Sequence, residues 1–131
     1  MTDFELALEQ LVKTKPAKRR EAENGEYRAY ISKIDAKVND KGTHWLSIKC
    51  ELDDEQYVFV NFWFTSKGME ISFQQLERLA RDFGLKLDRA GFYQGKMEYI
   101  LELFKPLEGE IVDLKVYGEV GNQKYTIRRK P

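Results

Sequence analysis

The chain has 131 residues, with 22 lysine plus arginine against 22 aspartate plus glutamate, so its formal net charge is zero. That length suits one domain with a core able to stand without disulfides, metal or cofactor, and the balanced charge argues against a surface coated generally by nucleic acid. The single cysteine, Cys50, excludes a disulfide framework within the chain and fits a reducing compartment. No apolar run is long enough to cross a bilayer, and the opening MTDFELALEQ carries acids where a signal peptide carries base. The expected setting is the cytoplasm, away from membranes.

At the start, Phe4, Leu6, Leu8, Leu11 and Val12 predict a short amphipathic helix that Pro16 stops. Lys13 to Asn24, which contains the basic run KTKPAKRR, reads as a polar linker. Residues 1–24 are therefore expected to be a helix-and-linker arm, and residues 25–131 the folded domain. From Gly25 the pattern turns to β. EYRAYISKIDAKV places Tyr27, Ala29 and Ile31 on one face, then Ile34, Ala36 and Val38 in the opposite phase. Such a change of phase marks a bulge in a strand that curls.

Asn39 to Gly42 (NDKG) is a turn, and THWLSIKCEL follows it with Leu46, Ile48, Cys50 and Leu52 inward. Trp45, Ser47, Lys49 and Glu51 then face out. A short acidic turn within ELDDE leads into QYVFVNFWF, where Val58, Val60, Phe62 and Phe64 read as core and Tyr57, Phe59, Asn61 and Trp63 occupy the other face. After Thr65 the period becomes helical, with Met69, Phe73, Leu76, Ala80 and Phe83 on one side, Gly84 as the stop, and Ser66 and Ser72 as rival caps. A second helix is expected over about Tyr93 to Phe104, with Met97, Ile100, Leu101 and Phe104 inward and its end before Pro106. The β pattern returns in EIVDLKVYGEV and QKYTIRR, joined by a turn region from Gly118 to Asn122.

Three strands, a helical insertion and a final hairpin make the chain mainly β. The element order is that of a five-stranded OB-fold-like Greek-key barrel with its helices between strands three and four, a fold whose second and third strands present the usual oligonucleotide face. On that face the hairpin of the second and third strands gathers Trp45, Lys49, Tyr57, Phe59 and Trp63. A solvent-facing aromatic row is costly to leave bare. Bases have π-faces, and aromatics flanked by lysine hold single strands without reading them. Lys115 and Tyr117 on the fourth strand and Arg128 on the fifth extend the candidate set. The competing reading packs Trp45, Phe59 and Trp63 under the helical insertion as ordinary core, and makes Lys49 a solvated strand lysine.

Enzymatic chemistry finds little support. His44, the single histidine, sits at a strand start, and Cys50 falls in the inward phase of an inert core thiol. Three adjacent acids in LDDE cannot converge on one ion, and AGFYQGK (Ala90 to Lys96) lacks phosphate-loop spacing. The chain reads as a non-enzyme that needs no cofactor and no metal.

NGEYRAYI leading into a long first strand, VNFWFTSKGM leading into the helix LERLARDFGL, and the closing GEIVDLKVYGEVGNQKYTIRR together resemble a family of small phage proteins that long carried only an unknown-function label. The likeness spans roughly Gly25 to Arg129, and NFWFTSKG is its strongest run. The resemblance implies an OB-fold single-stranded-DNA-binding protein serving phage replication and recombination in the cytoplasm of an infected bacterium. Its partners would be single-stranded DNA and phage or host recombination and replication proteins, with a homo-oligomer as an open alternative. One departure is clear: the chain ends in RRKP, where many bacterial single-strand binders carry an acidic recruiting tail. Two other function classes stand beside this one. The same aromatic face would serve a protein-interaction module for oligomerisation or partner recruitment, since tyrosine and tryptophan are also interface hot-spot residues. A structural adaptor in a phage particle is the third reading.

Overall fold

The sheet is organised around β1 (Gly25–Val38), the longest strand, which pairs antiparallel with β2 (His44–Leu52) on one side and β4 (Ile111–Glu119) on the other. The computed structural model describes residues 3–5, 23–52, 56–119 and 122–129. β3 (Tyr57–Phe64) pairs with β2, and β5 (Asn122–Arg129) with β4, giving one open antiparallel sheet in the order β3-β2-β1-β4-β5. Between β3 and β4 in the chain lie α1 (Met69–Asp82), α2 (Arg89–Phe104) and a 3₁₀ turn (Lys105–Leu107). Among the described residues no helix is long and apolar enough to cross a membrane.

The change of phase read in β1 is a break in register between Ile31 and Lys33. It keeps Ala29 and Ile31 buried before the break and Ile34 buried after it. It also divides the strand's partners, because pairing with β4 ends at Tyr30 while pairing with β2 continues to Val38. The β1 edge that β4 leaves is taken up by the segment following α2. Ile31 donates its N–H to the Glu110 carbonyl at 2.9 Å and accepts from the Gly109 N–H at 2.6 Å. Ile34 donates its N–H to Glu108 Oε2 at 2.8 Å, and its carbonyl accepts from Lys105 Nζ at 3.0 Å. The same ammonium lies 3.0 Å from Glu108 Oε2. Each backbone group the bulge frees at these two residues is thereby hydrogen-bonded, as a half-buried strand requires.

The inward rows of β2 and β3 behave as expected: Leu46, Ile48, Cys50, Leu52, Val58, Val60, Phe62 and Phe64 are all buried. They meet Phe73, Leu76, Leu79 and Ala80 of α1 and Ile100 and Phe104 of α2 in one core. Burying each large side chain of this kind contributes about 1.5–3 kcal/mol. Burial also pushes the Cys50 thiol up to about 12, as expected of an inert core cysteine.

Several local expectations need correction. Neither candidate serine caps α1. The N-cap is Gly68, whose N–H donates to Thr65 Oγ1 at 2.9 Å, while buried Ser72 turns inward and donates to the Trp63 carbonyl at 2.6 Å. Met69, expected inward, is 42% exposed, because at the helix start it lies beyond the core's rim. Val38 is likewise exposed at the far end of β1. α2 begins at Arg89, not near Tyr93, because Asp88 caps it by accepting from the Gly91 N–H at 3.3 Å. Gly84 does stop α1: its φ of 71° is the left-handed value that closes a helix, with the Leu85 N–H returning to the Ala80 carbonyl at 2.8 Å. Most of the expected N-terminal arm, the acidic turn at 53–55 and the tip of the β4–β5 hairpin lie outside the described residues.

Two predictions follow from the bulge and the core. The Ile34 N–H and, after it, Lys105 hold the Glu108 carboxyl below the usual carboxylate range. A depressed folded-state pKa stabilises the fold above the ordinary glutamate value and loses that effect as pH falls through the folded value. Glu108→Gln should therefore melt below wild type at neutral pH, with the gap closing in acid; thermal melts across pH read this, and a pH-independent gap contradicts it. Cys50 should stay unreactive towards a thiol reagent in the native protein and react fully on unfolding; rapid native labelling would mean that the β2 core face opens readily.

Candidate functional site

The register sets the outward rows side by side. Trp45 lies opposite both Lys37 of β1 and Trp63 of β3; Lys49 lies opposite Lys33 and Phe59; Glu51 lies opposite Tyr57. Trp45 and Trp63 stack across the strands with centroids 4.4 Å apart and planes 28° from parallel. Tyr57 and Phe59 meet edge to face at 5.5 Å. The lysines lie against these rings: Lys49 Nζ is 4.6 Å from the Tyr57 centroid, and Lys37 Nζ is 5.6 Å from that of Phe59. Cation–π contacts of this length pin an ammonium beside an aromatic surface without neutralising it.

Burial shows whether the aromatic row belongs to the core. Trp45, Tyr57 and Phe59 are half-buried, and Trp63 is 41% exposed. They are not core under the helices. They form a ridge on the sheet's outer face, in which the rings pack on one another with lysine ammonium groups beside them. Ser47, outward by phase, is buried within this row.

Beside the ridge runs a groove of about 590 Å³ between β3 and the β4–β5 hairpin. Phe59, Asn61 and Trp63 form its β3 wall, Tyr117, Gln123 and Lys124 line its hairpin side, and Ile71 and Gln75 of α1 complete it. Asn61 Oδ1 is buried there without a donor among the described residues, and such an acceptor favours any ligand able to supply one. The structure thus brings Tyr117, 40% exposed, into the same groove as Phe59 and Trp63.

The other sequence candidates sit further off. Lys115, its Nζ 5.8 Å from the Tyr117 centroid, and Arg128 line a separate hollow of about 600 Å³ across β1, β4 and β5, with Tyr117 shared between the two. Arg128 is committed elsewhere, since its Nε donates to Asp82 Oδ2 at the end of α1, 2.8 Å away. Its first role is to hold that helix to β5. Lys37, Asn61, Gln123 and Lys124 were missing from the candidates. Lys124 faces Tyr117 directly in the β4–β5 register, so strand phase alone would have found it. Lys37 depends on where the bulge falls.

Neither a comparison with protein families nor a search of curated proteins finds a match to this sequence.

The Trp45–Trp63 pair should make a modest contribution to stability. Trp63→Ala removes a ring pair worth about 0.5–1.5 kcal/mol together with part of its burial. The expected loss is well short of the roughly 3–5 kcal/mol of a fully buried tryptophan. Chemical denaturation of the Trp45→Ala, Trp63→Ala and double variants measures the coupling directly, and a loss in the larger range would return Trp63 to the core.

Proposed function

We propose that the protein binds single-stranded DNA without reading its sequence and without catalysis, as a five-stranded OB-fold-like Greek-key barrel whose second and third strands carry the binding face. The fold reading is supported by the strand order β3-β2-β1-β4-β5, with a bulged first strand shared between both halves of the sheet and the helices inserted after β3. The functional reading rests on one observation: the stacked Trp45–Trp63 ridge, rimmed by Lys37 and Lys49, alongside the groove that Tyr117 and Lys124 close. Each tryptophan spends one face on the other, and the exposed part of Trp63 is where a base extends the stack. Lysine ammonium groups beside these rings meet the phosphates. The resemblance drawn from NFWFTSKG and its flanking runs supports the same chemistry in phage replication and recombination.

Titration with labelled oligo-dT, against a duplex control, tests this. Binding should quench tryptophan fluorescence, because Trp45 and Trp63 are the chain's two tryptophans and share the ridge. Trp63→Ala should weaken binding by about 1–3 kcal/mol, the cost of one lost base stack. With four to six phosphates neutralised, log affinity should fall against log salt with a slope of roughly −3 to −4. Equal affinity for duplex would exclude single-strand selectivity, and binding indifferent to salt would assign the face to a protein partner.

A further inference from the structure

The aromatic row on the outward face of β3 is interrupted at its middle. Tyr57, Phe59 and Trp63 carry rings, whereas Asn61, which alternation places between Phe59 and Trp63, carries an amide. The interruption is costly in the free protein. Asn61 lies opposite buried Ser47, yet its Oδ1 is closed off from water and receives no hydrogen bond among the described residues. An acceptor in that condition has given up its hydration and gained nothing in return. An apolar side chain would fill the same place without the cost, so packing gives no reason for an amide here.

The groove beside it supplies one. Its volume of about 590 Å³ falls among those of pockets that hold small ligands, roughly 300–1,000 Å³. Asn61 shares it with the rings of Phe59, Trp63 and Tyr117 and with Gln75 and Lys124. Flat apolar faces, hydrogen-bonding groups and an ammonium group thus meet in one place, matching the face, edge and phosphate of a nucleotide. Successive same-face residues of a strand stand about 7 Å apart. That spacing sets the Asn61 amide beside the edge, not the face, of a ring stacked on Trp63. The terminal torsion of asparagine is soft, so the oxygen can turn towards such a ring without moving the backbone.

We infer that Asn61 is the residue that senses whether a base is unpaired: its Oδ1 accepts a hydrogen bond from the pairing edge of the base stacked on Trp63. The inference deepens the DNA-binding reading and rests on it. Every nucleobase carries at least one N–H donor on its pairing edge, so any base satisfies the amide and no sequence is read. In a duplex that edge is spent on the opposite strand. One acceptor therefore combines indifference to sequence with selectivity for single strands.

Two oligonucleotides of equal length test this at neutral pH: oligo-dC, and its 2-pyrimidinone analogue, which lacks the 4-amino group and so has no N–H donor on that edge. The wild type should bind oligo-dC roughly tenfold more tightly, the effect of leaving the acceptor unpaired in the complex. Asn61→Leu removes the acceptor and keeps the bulk. It should bind both oligonucleotides alike, prefer single strand over a duplex control by a smaller margin, and melt no lower than wild type, since it loses only an unsatisfied group. Equal binding of the two oligonucleotides by the wild type overturns the role of Asn61 and leaves the DNA-binding reading standing. A preference that survives in Asn61→Leu overturns it too, by placing the acceptor elsewhere, and a variant that melts well below wild type overturns it by showing that the oxygen was already satisfied in the fold. A wild type that binds neither these oligonucleotides nor oligo-dT removes the DNA-binding reading itself, and the role of Asn61 with it.

Discussion

The architecture depends on how β1 serves two neighbours that do not run beside the same half of it. A flat strand of fourteen residues would present one uninterrupted apolar row to one side of the sheet. The slip after Ile31 turns the second half, so that both halves bury their apolar residues in the same core while β2 and β4 diverge. A bulge leaves backbone groups without ladder partners, and half-buried orphan groups are expensive. Lys105, Glu108, Gly109 and Glu110 answer that cost at Ile31 and Ile34. The position of the segment after α2 is therefore fixed by the needs of a strand far away in sequence, and β4 begins where this repair ends.

With β1 bent, the outer faces of β2 and β3 form a ridge and the β4–β5 hairpin rises on its far side. The aromatic row on this ridge resolves a conflict between two demands. The base stacking proposed for this surface would need the rings accessible, yet exposed rings invite association and cost solvation. Pairing Trp45 with Trp63 and Tyr57 with Phe59, with lysine ammonium groups beside the rings, leaves them part-buried while keeping π-faces and positive charge together. An ammonium group held over a ring is also pre-positioned, which on the proposed reading lowers the entropy lost in meeting a phosphate.

The strands were legible because period-two alternation is enforced by burial on one side. Val58 to Phe64 and Leu46 to Leu52 could be assigned to faces from sequence alone, and so could the phase change in β1. The outward ridge followed from the same alternation. Less was legible where contacts cross long distances. Nothing local in the sequence links Ser72 to the Trp63 carbonyl, and that bond turns a plausible cap into a buried tether. The ion pair of Arg128 was not legible, because its partner, Asp82, is on a helix whose docking the sequence does not reveal. The groove depends on the approach of β3 to the β4–β5 hairpin, a tertiary distance that leaves no periodic trace. Lys96 gave no sign that it breaks α2, since lysine ordinarily favours a helix.

The two tethers of α1 have a bearing on solubility. β3 and β5 are the unpaired edges of an open sheet, and α1 packs against both, fixed to one by Ser72 at the Trp63 carbonyl and to the other by the Asp82–Arg128 pair. Bare strand edges recruit strands from other chains. α1 is thus a brace between the sheet's two edge strands. Local opening of that brace is where exposure of the two edges would begin.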